Sequence, residues 1–303
     1  MFVPSLIRRR VTFGAKRAFL SCFPMKSVSM KRKRSDSSEV QTSKRPNMVT
    51  ATIALTSREA QLRDLLLDVA SYINKSKDLK EPIELRFAGG WVRDKLLSIP
   101  SHDIDTAINA MTGSAFTEKM TEYLNDEENL KKHSLEPKDI NNLHTIQANP
   151  DKSKHLETVT TKIFDFDVDF VNLRKEIYAD DSRNPQMVFG TALEDAQRRD
   201  ATINALFYNL RTGEVEDFVG GLEDLEKKRI RTPMDPEKTF KDDPLRVLRL
   251  IRFASRLGFT IDPKTKDWMG DPTVLADFKR KISRERVGTE LEKMLKGEYS
   301  SAF

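Results

Sequence analysis

At 303 residues, 38% hydrophobic and 33% charged, the chain is long enough for about two domains with buried cores; no stretch is long and apolar enough to cross a membrane. One cysteine, Cys22, excludes an internal disulfide, and four histidines without cysteine partners give no zinc pattern. The net charge of +5 does not describe the folded part: residues 1–35 hold ten Lys and Arg and no acid, which leaves 42 basic and 47 acidic residues, net −5, so any basic binding surface there must be a local patch.

The basic start is therefore read as an address. Arg8-Arg9-Arg10 and Lys16-Arg17 among apolar and Ser residues fit a mitochondrial transit segment better than a secretory signal, which needs a continuous apolar core. Lys31-Arg32-Lys33-Arg34 reads equally as a nuclear-localisation cluster or a solvated basic tail. Met25, Met30 and Met48 are later starts that would yield cytosolic or nuclear forms beside a mitochondrial one. Residues 1–48 are expected to be a targeting or disordered leader, with order beginning near Val49.

Thr56 and Glu59 make a capping-box pattern ahead of Leu62, Leu65, Leu66, Val69, Ala70 and Ile73 at helical period. Glu84 to Ala88 suits a strand entering the tight turn Gly89-Gly90, and Val92, Leu96 and Leu97 then fall at helical spacing. A strand, a Gly-Gly turn and a helix start aim unpaired N–H groups and the helix dipole at one spot, a phosphate site to which Arg93 can add a forked positive charge. In His102-Asp103-Ile104-Asp105 the two acids share one strand face. They repel unless a cation lies between them, and carboxylates facing phosphates describe a Mg²⁺ site for phosphoryl or nucleotidyl transfer. Alone, either motif is more readily a plain turn or a solvated edge strand; their order and spacing together reverse that. Gly113 to Leu124 predicts a helix. Residues 125–154, polar with Pro137 and Pro150, predict a long loop. A strand follows around Thr158 to Phe164, and beyond it Asp165, Asp167 and Asp169 share a face, any of them a third carboxylate.

Gly89-Gly90-Trp91-Val92-Arg93-Asp94-Lys95-Leu96-Leu97 followed by Ser101-His102-Asp103-Ile104-Asp105 resembles the first signature of the polymerase-β-like nucleotidyltransferases, specifically the class II tRNA CCA-adding enzymes. The resemblance recurs over most of residues 84–297; Ser98 departs from it, standing where the family usually has Gly. It implies an α/β head with a mixed β-sheet flanked by helices (49–232) and an all-α neck (233–303), incomplete because family members continue into helical domains that grip tRNA. The implied activity is template-independent addition of C, C and A to the tRNA 3′ end from CTP and ATP, with Mg²⁺ on Asp103 and Asp105 and the triphosphate on Gly89, Gly90 and Arg93. Val168 to Arg174 matches the family's strand after the loop, which favours Asp169 as the third catalytic acid, and the loop itself is implicated in switching from C to A. Arg198-Arg199-Asp200-Ala201-Thr202-Ile203-Asn204-Ala205 is similar to the family's nucleotide-binding motif and carries its roles to Arg199 and Asp200. Gly213 to Arg231, with Asp217, Gly220-Gly221 and Asp224, resembles the hinge between head and neck.

The last informative stretch runs from Asp242 to Arg256. A capping Asp and Pro244 predict a helix start. Arg246, Arg249, Arg252 and Arg256 then share an arc, with Val247, Leu248, Ile251 and Ala254 opposite. Like charges at this spacing destabilise a helix unless anions neutralise them; a triphosphate, an RNA backbone or carboxylates elsewhere in the fold would do so. The stretch resembles the family motif whose Asp and Arg read the incoming base, here Asp243 and Arg246, with Asp242 replacing the usual Glu. A carboxylate accepting an exocyclic amine beside a donating guanidinium suits both C and A. Ser283 to Lys293 resembles the neck motif that supports this helix. The alternatives are a poly(A)-polymerase-like enzyme and a non-catalytic nucleotide- or RNA-binding fragment.

Overall fold

The computed structural model describes residues 51–76, 79, 81–136, 158–177 and 186–296. The basic leader and most of the polar 125–154 stretch lie outside them. Thr56 caps α1 (Ser57–Ile73) through the expected capping box with Glu59, and the apolar stripe from Leu62 to Ile73 is buried. Next come β1 (Leu85–Ala88), α2 (Gly90–Leu96), β2 (Asp103–Ile108), α3 (Gly113–Leu124) and α4 (Glu127–Lys132), the last inside the stretch expected to be loop. Asp126 caps α4 and its first turn is acidic and its last basic, which favours a helix over a coil. The middle of the chain supplies β3 (Val159–Ile163), β4 (Phe166–Asn172), the hairpin β5 (Arg174–Ile177) and β6 (Gln186–Phe189), α5 (Ala192–Arg198), a 3₁₀ turn at Thr202–Asn204, β7 (Phe207–Asn209) and β8 (Val215–Glu216).

Six strands form one sheet in the order β3-β4-β2-β1-β7-β8. It is mixed: β2 and β4 are parallel, while every other pair is antiparallel. One face carries Phe87, Ile104, Ile108, Val168 and Phe170 into the main core, where α1 and α3 pack. On the opposite face a smaller core of Ala88, Ala107, Leu173, Ala196, Ala205 and Phe207 lies under α5.

Two turns hold non-glycine residues at positive φ. Phe164 and Asp165 form a two-residue hairpin loop with φ of +50° and +71°, a conformation that favours Gly. Asp165 is therefore a turn residue, off the strand that carries Asp167 and Asp169. Ser98, where a Gly is usual, also has positive φ, +59°.

The head leads through α6 (Gly221–Glu226) and β9 (Arg229–Ile230) into α7 (Pro236–Asp242), α8 (Arg246–Leu257), β10 (Thr260–Ile261), α9 (Pro263–Met269), α10 (Pro272–Lys281) and α11 (Arg284–Leu295). The neck is helical save for β10, which pairs in parallel with β9 and ties it to the head. Asp224, fully buried, is bonded to Thr202, Arg229 and Arg231 and so joins the 3₁₀ turn to this exit strand. Helix α8 begins two residues later than its sequence suggests. Asp243 is instead the C-cap of α7, and its carboxylate accepts the Leu245 N–H at 3.1 Å.

Candidate active site

The parallel register of β2 and β4 builds the acidic face. Asp103 lies opposite Asp167 and Asp105 opposite Asp169, and paired residues of adjacent strands project to the same side. Asp169 is thus the third-acid candidate beside Asp105. Thr160 donates to its carboxylate. Burial pushes the Asp105 carboxyl up, Arg199 draws it down, and Asp169 and Asp103 push it up again, leaving it above its ordinary value. Among the described residues no group of three or more His, Cys, Asp or Glu is arranged as a ready metal cage. The donor set still fits Mg²⁺, which is commonly held by one or two carboxylates plus substrate phosphates and water.

Gly89 joins this face to the turn. Ala88 pairs with Asp105 across β1 and β2, and Gly89 follows with φ +70°. A Cβ there would lie 2.8 Å from Arg199 Nη1, 3.5 Å from Asp105 Oδ2 and 3.6 Å from the Asn204 carbonyl oxygen. Gly90 is less constrained: its Cβ would meet only Arg93 Nη2, at 3.5 Å. Arg93 is buried and held within the protein, donating through Nε to Asp94 at 2.8 Å and through Nη1 to Asn204.

The Arg199-Asp200 motif is fixed by residues that sequence reasoning missed. Asp195, buried on α5, accepts from Arg199 Nε at 2.9 Å and from Arg198. Arg199 Nη1 also reaches the Asn204 carbonyl at 2.9 Å, and its guanidinium lies 5.0 Å from the Phe207 ring centroid. Asp200 accepts from Asn204 Nδ2 at 3.2 Å and from Arg249 Nε at 2.6 Å. Burial alone would raise the Asp200 carboxyl, but Arg249, Asn204 and Arg246 outweigh it and hold it at about 2. The signals for Asp195 and Asn204 were present, an acid at i−4 from Arg199 and the Asn closing the motif, but their partners could not be read from spacing.

The expected apolar face of α8 packs inward, with Val247 buried and Ile251 and Ala254 against the core, while the arginine arc is divided, Arg246 and Arg249 bonding to the head and Arg252 to the neck. Arg246, Val247, Leu250 and Phe253 are buried, whereas Leu248 and Ile251 are only partly covered. Arg246 donates to the carbonyls of Arg198 at 2.7 Å and Thr239 at 3.4 Å. Arg252 donates to Glu290 of α11 at 2.8 Å, and Arg249 lies 3.8 Å from the same carboxylate. Asp243 receives Arg286 Nη2 at 2.9 Å. Arg256 is exposed. The neutralising anions for Arg249 and Arg252 are therefore carboxylates of the fold itself.

The arrangement brings together two acids for a hard cation, a glycine turn, the buried carboxylate of Asp200 and a polar helix start at Asp243 and Arg246. Comparison with known proteins gives this geometry its family. Residues 85–231 match the family described as Poly A polymerase head domain. The chain is 64% identical over 246 residues to a nucleotidyltransferase of Purpureocillium lilacinum, lcsQ, covering 81% of this chain and 41% of that one. It is 55% identical over 247 residues to the mitochondrial CCA tRNA nucleotidyltransferase of Saccharomyces cerevisiae, covering 81% and 44%. The chain thus spans less than half the length of these two relatives. Among solved structures, a CCA-adding enzyme in apo form II superposes with a TM-score of 0.62 at 26% identity, covering 80% of this chain and 50% of that one. The Bacillus stearothermophilus CCA-adding enzyme in complex with CTP gives 0.58 at 26% identity, covering 82% and 51%. From its glycine turn and acidic strand through the hinge to the arginine helix, the chain belongs to the class II CCA-adding family of nucleotidyltransferases.

Proposed function

We propose that the chain transfers CMP and AMP from CTP and ATP to the 3′ end of tRNA without a nucleic-acid template. The observation that supports this most directly is the convergence of Gly89, Asp105, Arg199 and the Asn204 carbonyl within one small volume. In the transfer, the RNA 3′-oxygen attacks the α-phosphorus as its proton departs, and the bond to the bridging oxygen breaks to release pyrophosphate. Asp103 and Asp105 would hold Mg²⁺, with Asp169 beside them; the ion, when bound, supplies positive charge that stabilises the developing oxyanions. Gly89 and Gly90 give the triphosphate close access to backbone. Arg93 and Arg199 present or position positive charge at that turn, and Asp200 accepts from the sugar. Asp243 and Arg246 read the amine and ring acceptor that C and A share. Arg249 and Arg252 place positive charge beside Asp200 and Glu290. Because these arginines, Asp200 and Asp243 are engaged by protein partners here, nucleotide binding at them exchanges hydrogen bonds rather than filling vacant ones.

Two relatives are named as mitochondrial enzymes, which favours a mitochondrial address for this chain and leaves cytosolic and nuclear forms to the later starts. The leader lies outside the described residues. The head and neck boundaries, 49–232 and 233–303, are likewise part of this proposal.

The test is Mg²⁺-dependent incorporation of labelled CTP and ATP into tRNA lacking its CCA end, with Asp103→Ala alongside. Ordered C, C, A addition that falls about 10²–10³-fold in the variant, the loss expected on removing one strong electrostatic stabiliser, supports the reading. Addition of A runs to any RNA would favour the poly(A)-polymerase-like alternative. Nucleotide binding without transfer would favour the non-catalytic nucleotide- or RNA-binding alternative.

A further inference from the structure

Three arginines, each paired with a carboxylate, gather at one aromatic ring where the neck meets the head. Phe253, on α8, is 6% exposed. The guanidinium carbons of Arg252, Arg249 and Arg93 lie 4.5, 5.6 and 5.8 Å from its ring centroid. Each arginine holds a carboxylate: Arg93 with Asp94, Arg249 with Asp200, Arg252 with Glu290. Asn204 closes the gap on the head side, accepting from Arg93 and donating to Asp200. Asp94-Arg93-Asn204-Asp200-Arg249-Glu290-Arg252 is therefore a continuous polar chain through α2, the 3₁₀ turn region, α8 and α11.

Three guanidiniums this close to one another repel, and carboxylates between them offset only part of the cost of burying them. Burial pushes the Arg252 guanidinium down, Glu290 draws it up and Arg249 pushes it down again, with a net downward shift. The face of a phenyl ring attracts cations and occupies apolar volume that a water or an aliphatic side chain would leave without that attraction. Arg249 at i−4 and Arg252 would be ordered by α8 alone, but Arg93 comes from the helix that follows the glycine turn. It is the contact that ties the turn to the neck.

We infer that Phe253 is a positioning residue: its ring holds Arg93 of the head and Arg249 and Arg252 of the neck in one cluster, and so fixes the base-reading start of α8 relative to the phosphate turn. Phe253 lies within the stretch that resembles the base-reading motif, but no role is carried over to this side chain. The consequence for base choice rests on the proposed function; the coupling between head and neck does not.

The experiment has two readouts on the full chain. The first is a double-mutant cycle in thermal melting between Phe253→Leu and Arg93→Lys, which keeps the charge and loses the planar stack. Coupling through the ring predicts that the double variant melts about 2 °C or more above the sum of the single shifts. Strict additivity would overturn the inference. The second is equilibrium binding of CTP, ATP, GTP and UTP in Mg²⁺ to wild type, Phe253→Leu and Phe253→Tyr. The Leu variant should lose about tenfold in its preference for CTP and ATP, while Tyr, retaining the π face, stays near wild type. A folded Leu variant with wild-type preference, or a Tyr variant as impaired as Leu, would show Phe253 to be filler. If wild type itself shows no preference, base selection in the proposed function fails, and the melting cycle alone decides the positioning role. Should Phe253→Leu not fold, the cycle is run between Phe253→Met, which also lacks the π face, and Arg93→Lys with the same criterion.

Discussion

Gly89 and Gly90 are neighbours in one turn, yet they are glycine for different reasons. At Gly89 the backbone is left-handed and a Cβ would crowd Arg199 Nη1 at 2.8 Å. Gly89→Ala should therefore destabilise the fold by about 1–3 kcal/mol, the cost of a strained backbone, and displace Arg199. Gly90 has room for a methyl group, so Gly90→Ala should melt within about 2 °C of wild type and lose triphosphate affinity only if phosphate approaches that backbone. Melting and CTP binding on the pair separate architecture from ligand contact. Asp200 carries a pH signature. Its folded pKa, about 2 against an ordinary 3.8, is depressed, so its contribution of roughly 2 kcal/mol is present above pH 4 and is lost as pH falls toward 2. Asp200→Asn should cost about that much in urea unfolding at pH 7, and the gap to wild type should shrink at pH 2.5. Asp105 runs the other way. Burial and two neighbouring acids disfavour its charge, so Asp105→Asn should abolish transfer and raise the melting temperature, by about 2–4 °C per kcal/mol relieved. A fall in melting temperature would mean that Asp105 is held by contacts the acidic face does not reveal.

At the level of elements, what could be read from the sequence was whatever depends on near neighbours. The capping box at Thr56 and Glu59, the helix from Gly113 to Leu124 and the strand–turn–helix around Gly89 all follow from local rules. So did the shared face of Asp103 and Asp105, because alternation is a property of one strand. The register that sets Asp169 beside Asp105 was not legible, since it depends on where a distant strand docks. Which of the possible anions neutralise the arginine arc of α8 was not legible for the same reason. An arginine arc on a helical wheel looks solvent-facing until its anions are known, and these come from 49 and 38 residues away, at Asp200 and Glu290. The Arg93–Asn204 bond spans 111 residues. Close packing between elements was equally hidden. A Cβ on Gly113 would come within 2.4 Å of the Phe170 carbonyl oxygen, and one on Gly221 within 2.4 Å of that of Thr202. Both contacts are with backbone, so neither can yield by rotating a side chain. Gly221→Ala should cost about 1–3 kcal/mol and shift the turn that holds Asn204, lowering nucleotide affinity, whereas Gly113→Ala should lower stability alone. Equal losses of affinity in the two would argue that the effect is global unfolding.

Across the whole molecule the charge is divided. Ten of the 52 basic residues lie in the first 35 positions without a single acid, and the remainder is net negative. Around the candidate site, the arginines of α8 are paired with Asp200 and Glu290 or with backbone carbonyls, so little of their charge is free to attract a polyanion from a distance. A triphosphate is small enough to enter and exchange those bonds one at a time. An RNA backbone needs several exposed cations at once, and each phosphate neutralised adds to the salt dependence of binding. The leader and the site should therefore bind different things. Removing residues 1–35 should leave CTP and ATP dissociation constants within about twofold of the full chain, a difference under about 0.4 kcal/mol. It should also weaken binding to an arbitrary single-stranded RNA by about 10-fold or more at 50 mM salt, with the difference shrinking as salt rises to 200 mM. Filter binding at the two salt concentrations, with and without the leader, checks this. RNA affinity unchanged by the deletion would place a basic patch within residues 36–303, and α8, α10 and α11, where Arg256, Lys279 and Arg284 lie, would be the first surfaces to mutate.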